Sequence, residues 1–235
     1  MAASIPDKSF ALIIVAAGKG ERFQSVRPKQ YQLLSAPYSI LECTIQAFLP
    51  LWDFFTGHWL VIQPDHKAYW NPLIESGQYP GLKVIPGGAE RYQSVFNALE
   101  KCRNTVEYVL IHDAVRPLAS SDLIRKIMYK TIEYGACIPA LPVRDTIKEI
   151  DTSGMVKSTL NRESLRMIQT PQGFHLETLC QAMESYRDCA CSDEAAYLEM
   201  AGKPVKTIRG EYTNLKVTYP EDMEWARYYV EKRFE

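Results

Sequence analysis

The 235-residue chain predicts an α/β fold built on a doubly wound, predominantly parallel sheet, with one protruding β-hairpin that breaks the rhythm. Three observations predict it. Short apolar runs alternate with amphipathic segments, the order expected of βαβ units. The first run, Phe10–Val15, contains no polar residue and so suits a strand covered on both faces. Residues 142–162 replace this pattern with two short alternating stretches around a polar turn.

Taken in order, the runs after Phe10–Val15 place strands at His58–Gln63, Leu82–Ile85, Tyr108–Ile111, Ala136–Ala140, Val205–Ile208 and Leu215–Thr218. Arg91–Arg103 reads as a helix because Val95, Phe96, Leu99 and Cys102 share one face. A second helix carries Leu123, Ile124, Ile127 and Met128, with Ser120 and Ser121 as its opening cap and Gly135 as its stop. In the hairpin, Ile147–Ile150 and Met155–Leu160 flank the turn Asp151–Gly154. A polar hairpin is at best marginally stable alone, so this arm is expected to lean on a neighbour. Residues 1–235 form one domain, with no internal repeat or flexible linker.

Composition narrows the function. The chain is 46% hydrophobic and 23% charged with a formal net charge of −1, so a nucleic-acid partner, which calls for a basic excess, is not expected. No uncharged stretch approaches the ~20 residues that span a bilayer, and MAASIPDKSF lacks an apolar signal core, which points to the cytoplasm and to no membrane partner. Of six cysteines only Cys189 and Cys191 lie close together, and no histidine or second pair completes a zinc set; all six read as reduced thiols.

The loop behind the first strand, AAGKGERFQSVRPKQY at residues 16–31, carries the chemistry. Glycines let a backbone approach a ligand closely, and Lys19, Arg22, Arg27 and Lys29 make the approach positive, so the ligand is an anion. A dinucleotide fingerprint fails because Phe23 stands where the third glycine belongs, and no P-loop consensus is present. Asp113 follows the strand Tyr108–Ile111, where an acid binds a ribose hydroxyl or a phosphate-bound magnesium ion, or pairs with Arg116. Gly87 and Gly88 end another strand and open the helix bearing Ser94, whose hydroxyl either faces the same crevice or bonds its own helix. Hydrolase signatures are missing. A reaction whose nucleophile is already an anion needs neither a dedicated nucleophile nor a base.

Ala16–Arg22 with Pro28–Tyr31, Gly87–Ser94, His112–Pro117, Pro142–Thr146, Thr170–Gln172, Ser192–Ala195 and Asn214–Thr218 resemble, in order, the 2-C-methyl-D-erythritol 4-phosphate cytidylyltransferase family of the non-mevalonate isoprenoid pathway. The resemblance implies a Rossmann-like sheet, CTP and a polyol phosphate as substrates, magnesium as cofactor, and a homodimer that exchanges hairpin arms. Carried over by position, Ala16, Ala17, Gly18, Gly20, Gly88, Ser94 and Ala114 form the CTP pocket, with Asp113 near the ribose or metal. Arg22, Lys29 and Lys216 become the cations on the reacting phosphates. Thr146 and Arg162 hold the methylerythritol phosphate from the arm, and Thr170 and Ser192 add substrate contacts. Two positions depart: Ala89 stands where the family commonly has an acid, and Ser192 where it has threonine. The alternatives are a ribitol 5-phosphate cytidylyltransferase, a nucleotide-sugar glycosyltransferase, disfavoured by the lack of a D-x-D motif, and a non-catalytic nucleotide-binding protein, which would not be expected to keep both Arg22 and Lys29.

Overall fold

A computed structural model of the chain describes residues 9–18, 23, 25–189 and 191–234. β1 (Phe10–Ala16) is followed by a single 3-10 turn at Lys29–Tyr31, a ribbon of β2 (Leu33–Ser35) and β3 (Tyr38–Ser39), and α1 (Ile40–Phe48). Next come β4 (Phe55–Ile62), α2 (Lys67–Glu75), β5 (Leu82–Pro86), α3 (Arg91–Cys102), β6 (Tyr108–Asp113), α4 (Ser121–Tyr134) and β7 (Ala136–Pro142). The hairpin β8 (Lys148–Ile150) and β9 (Val156–Thr159) precedes β10 (Arg166–Ile168), β11 (Gln172–His175), α5 (Leu176–Ser185), α6 (Glu194–Met200), β12 (Lys206–Arg209) and α7 (Asp222–Phe234). None of the described helices is long and apolar enough to cross a membrane.

β1 lies between β4 and β6 and runs parallel to both, while β5 extends the parallel set beyond β4. Their register matters most for the site. Val15 stands opposite Asp113, Ala16 opposite Ile62, and Ile62 opposite Pro86, so four strands finish level at their carboxyl ends. The loops that leave them must open on one edge, where α/β sheets bind ligands.

The expected doubly wound packing follows from β1 itself. Phe10, Leu12 and Ile14 belong to one apolar cluster with Leu41, Ile45, Leu123 and Ile127, whereas Ala11 and Ile13 belong to another with Val95, Leu99, Leu179 and Leu198. Alternate side chains thus enter two cores, one covered by α1 and α4 and the other by α3, α5 and α6. Each large aliphatic side chain fully buried there contributes roughly 1.5–3 kcal/mol. α4 has the expected caps: the Ser120 hydroxyl accepts from the Leu123 amide, and Gly135 closes the helix at φ +79°.

One expectation needs correction. Leu215–Thr218 is not a strand: Val217 is fully buried, but its amide donates to the Val115 carbonyl at 2.9 Å, and no ladder forms. The sheet is mostly parallel as expected, with β11 running antiparallel between β6 and β7, and β10 antiparallel to β7. Both are too short to show a period, and β11 has Phe174 as its one large apolar side chain. The hairpin arm forms as expected around Gly154 at φ +85°, with the Asp151 carboxylate accepting from the Ser153 and Met155 amides. Every residue of β8 and β9 is exposed, including Ile150 and Val156.

Gly173 lets β11 pass beneath α4. A Cβ there would fall against Thr131 Oγ1, with Ile127 Cγ2 at 3.0 Å and Leu110 Cδ2 at 3.1 Å. Gly173→Ala should therefore lower the unfolding free energy by about 1–3 kcal/mol, the usual cost of overpacking. Urea denaturation should show a lower midpoint at unchanged slope. An unchanged midpoint would mean that α4 can shift off the sheet without cost.

Candidate active site

A crevice of ≈ 620 Å³ opens at the carboxyl edge of β1, β5 and β6. Ala16, Ala17, Gly18, Lys29, Gly88, Ser94, Asp113, Ala114 and Lys216 all line it, bringing together the expected nucleotide pocket and two of the three expected cations. Gly20 and Arg22 lie outside the described residues. The sequence did not single out Gln30, Gln63 or Arg91, which also line the wall. Gln30 and Gln63 hold carbonyls of the 16–18 loop, from a turn and a strand end that no local pattern connects.

The turn after β5 is shaped by short contacts. The Gly87 amide donates to the Ile62 carbonyl at 2.7 Å, and a Cβ at Gly87 would lie 2.5 Å from that of Ala17. Only glycine permits this approach of two loops. The Gly88 amide donates to Ser94 Oγ at 3.0 Å, so the buried Ser94 hydroxyl accepts from the turn. At Ala89 the amide donates to Gln93 Oε1 at 2.9 Å, leaving a small apolar side chain on the crevice wall.

Asp113 occupies the floor and is 6% exposed. Its carboxylate pairs with Arg91 at 3.3 Å, Arg116 at 3.3 Å and Lys216 at 2.9 Å. Burial pushes this carboxyl up, but the three cations outweigh it and hold it well below the usual carboxylate range. The expected pairing with Arg116 is thus present, joined by two partners distant in sequence. Arg91 is in turn gripped by the buried Glu194 at 3.1 and 2.9 Å, a bidentate pair that raises its already high pKa. Glu194 opens α6, and its pairing carries no sequence signal, since its partner lies 103 residues away. No cluster of three or more His, Cys, Asp or Glu among the described residues could cage a metal. Among the described residues, Asp113 on the crevice floor and the exposed Glu90 on its wall are the carboxylates that line the crevice. That donor set fits an ion such as Mg²⁺, which takes one or two carboxylates and leaves the rest to phosphates and water.

Behind Asp113 lies a closed relay. His112 Nε2 is 3.0 Å from the Arg116 carbonyl, which can only accept, so this nitrogen carries the proton. Nδ1 then accepts from the Thr170 hydroxyl at 3.0 Å, and that hydroxyl accepts from the Asp113 amide at 3.0 Å. Thr170 is buried, does not line the crevice, and positions the Asp113 backbone. Ser192 is exposed on the segment that leads into α6. Thr146 and Arg162 are exposed at the foot of the arm, where Arg162 Nη1 donates to the Arg144 carbonyl at 2.6 Å; neither lines the crevice of its own chain. Cys43, Cys102, Cys137 and Cys180 are buried thiols, and Cys189 and Cys191 half-buried ones.

Residues 10–232 match the 2-C-methyl-D-erythritol 4-phosphate cytidylyltransferase (IspD) family. The chain is 36% identical over 217 residues to the 2-C-methyl-D-erythritol 4-phosphate cytidylyltransferase of Bacillus cereus, covering 91% of this chain and 94% of that protein. With the enzyme of the same name from Desulforamulus reducens it shares 37% over 226 residues, covering 94% and 95%. Among solved structures, 4-diphosphocytidyl-2C-methyl-D-erythritol synthase from Anaerococcus prevotii superposes with a TM-score of 0.80 at 30% identity, over 96% of this chain and 99% of that one.

The relay makes stability pH-dependent. Burial lowers the His112 pKa to about 4 from the ordinary value near 6.5. Between those values the unfolded chain binds the extra proton, so stability present above pH 6.5 is lost as pH falls toward 4, at up to ~1.4 kcal/mol per pH unit. Asp113 acts in a lower window, since its contribution persists until acid reaches its depressed pKa. Urea denaturation at pH 7, 6 and 5 should show this decline, and His112→Gln, which has no titrating group, should flatten it. An equal slope in the variant would place the dependence elsewhere.

Proposed function

The chain belongs to the 2-C-methyl-D-erythritol 4-phosphate cytidylyltransferase family, and from that membership we propose that it transfers CMP from CTP to 2-C-methyl-D-erythritol 4-phosphate. A phosphate oxygen of the polyol attacks the α-phosphorus of CTP in line. The new P–O bond forms as the bond to the bridging oxygen breaks, and pyrophosphate leaves with the electron pair. No proton need be removed from the nucleophile, so the step asks for no general base. The observation that carries the reading is a glycine-walled crevice lined by Lys29, Arg91 and Lys216 at the level ends of parallel strands.

Nucleotidyl transfer is catalysed by positioning and by charge stabilisation. Lys29 and Lys216, with Arg22, oppose the negative charge that grows on the α-phosphate and the leaving pyrophosphate; one such donor is worth roughly 3 kcal/mol. Ala16–Gly18, Gly88, Ser94 and Ala114 enclose the nucleotide. Asp113 would hold magnesium, which neutralises phosphate charge when bound. The enzyme works in the cytoplasm, where its thiols stay reduced. It works as a homodimer: the arm exposes Ile150, Met155 and Val156, at 57%, 68% and 59%, and a partner surface would cover them. Crossing to that partner, Thr146 and Arg162 would reach its acceptor phosphate, with the Arg162 guanidinium matching phosphate by paired hydrogen bonds. Thr170 and Ser192 then act from the site's margin.

Pyrophosphate release with CTP, magnesium and a panel of polyol phosphates tests the substrate. 2-C-methyl-D-erythritol 4-phosphate should give the highest kcat/KM, and ATP should replace CTP poorly because a purine overfills a pyrimidine pocket. A higher value with ribitol 5-phosphate would transfer the chain to that activity.

Subunit mixing tests the shared site. Lys29→Ala and Arg162→Ala should each be inactive, the former losing ~10² or more in kcat. When the two variants exchange subunits, half the dimers are mixed and one site in each is intact, so about a quarter of wild-type activity should return. No recovery despite demonstrated exchange would show that each site is built from one chain.

A further inference from the structure

We propose that Gln30 and Gln63 act as a clamp on the carbonyls of residues 16–18 and are the positioning residues that keep the crevice loop shaped for the nucleotide; this rests on the cytidylyltransferase reading above. Gln30 Nε2 donates to the Ala16 carbonyl at 2.8 Å and approaches the Gly18 carbonyl at 3.5 Å. Gln63 Nε2 donates to the Ala17 carbonyl at 2.7 Å. The two side chains come from different elements, the 3-10 turn at Lys29–Tyr31 and the residue after β4. Both amides must present nitrogen, because a carbonyl only accepts.

Residues 16–18 are where the chain leaves the sheet, so their carbonyls run out of ladder partners. A carbonyl turned into the crevice would meet the negative oxygens of a triphosphate, acceptor against acceptor. The clamp supplies each carbonyl with a donor from the protein side and so leaves the crevice side of the loop to its amides. Glutamine suits this task because it donates without adding charge. Lysine would add a cation, and glutamate would set a carboxylate against a carbonyl. Gln30 is 2% exposed and its neighbour Tyr31 is buried against Tyr69, so the turn that holds one jaw, and Lys29 with it, is itself fixed.

Gln63→Met keeps the length and removes the donor. Because Gln63 is half-buried, the change should fold. Steady-state kinetics should show KM for CTP raised about tenfold, the size of one well-made hydrogen bond. The kcat at saturating CTP and the KM for the polyol phosphate should stay within about twofold, the signature of lost nucleotide binding. Gln63→Glu, of the same shape, should raise KM for CTP further and carries the test if the methionine variant does not fold. Combined with Gln30→Met, the effect on KM should fall short of the product of the single effects, because both act on one loop. A lower thermal midpoint with KM for CTP unchanged, or a fall in kcat alone, would overturn the clamp and leave the glutamines structural. A wild-type enzyme inactive with CTP and every polyol phosphate would instead overturn the cytidylyltransferase reading.

Discussion

The buried carboxylate of Asp113 is the constraint to which the rest of the site answers. A carboxyl at 6% exposure would ordinarily take up a proton, and it stays ionised because Arg91, Arg116 and Lys216 surround it. Removing one partner from such a cluster typically costs roughly 3–5 kcal/mol, since charge is left buried and underpaired. The three cations come from α3, from the loop after β6 and from the segment near residue 216. One charge thereby pins its own following loop and two distant stretches to the same strand end. Arg91 extends the network to Glu194 and so fixes the start of α6.

The segment Asn214–Thr218 shows how this works without regular structure. The Asn214 carbonyl accepts from Arg116 Nη1 at 2.9 Å and from Gln169 Nε2 at 3.0 Å, while its side chain donates to the Thr170 carbonyl at 2.8 Å. Asn214 is fully buried, and Val217 anchors the next turn of chain in a third apolar cluster with Phe23, Leu34 and Val115. Between these two anchors the backbone is held so that Lys216 Nζ reaches Asp113 at 2.9 Å. An alternation of apolar and polar residues here serves to bury one side and aim a cation with the other. A ladder would add nothing to that task.

The arm obeys the opposite logic. Its turn chemistry is local, with Asp151 and Gly154 closing it. Its apolar side chains find nothing to cover them within the chain. A self-paired hairpin with uncovered Ile150 and Val156 leaves apolar surface that its own chain does not bury.

Short-range chemistry made much of the molecule legible. β1, β4, β5, β6, β7 and β12, the helices α3 and α4 with their caps, the hairpin turn and the glycine loop all rest on periodicity or turn residues within a dozen positions, and these act whatever surrounds them. The glycine loop, Asp113 and the turn before Ser94 could be placed at one edge because the ends of buried parallel strands must share it, whereas Lys216 was reached only through the family resemblance. β11 stayed hidden, since four residues with one large side chain carry no period, and its place between β6 and β7 is decided by what Gly173 lets past α4. The pairing of Arg91 with Glu194, the addition of Arg91 and Lys216 to the expected Arg116 on Asp113, and the glutamines on the 16–18 carbonyls were equally out of reach. Each is an electrostatic or hydrogen-bond match between groups that no local pattern connects, and sequence by itself holds no distance between them; only the folded sheet brings them within reach.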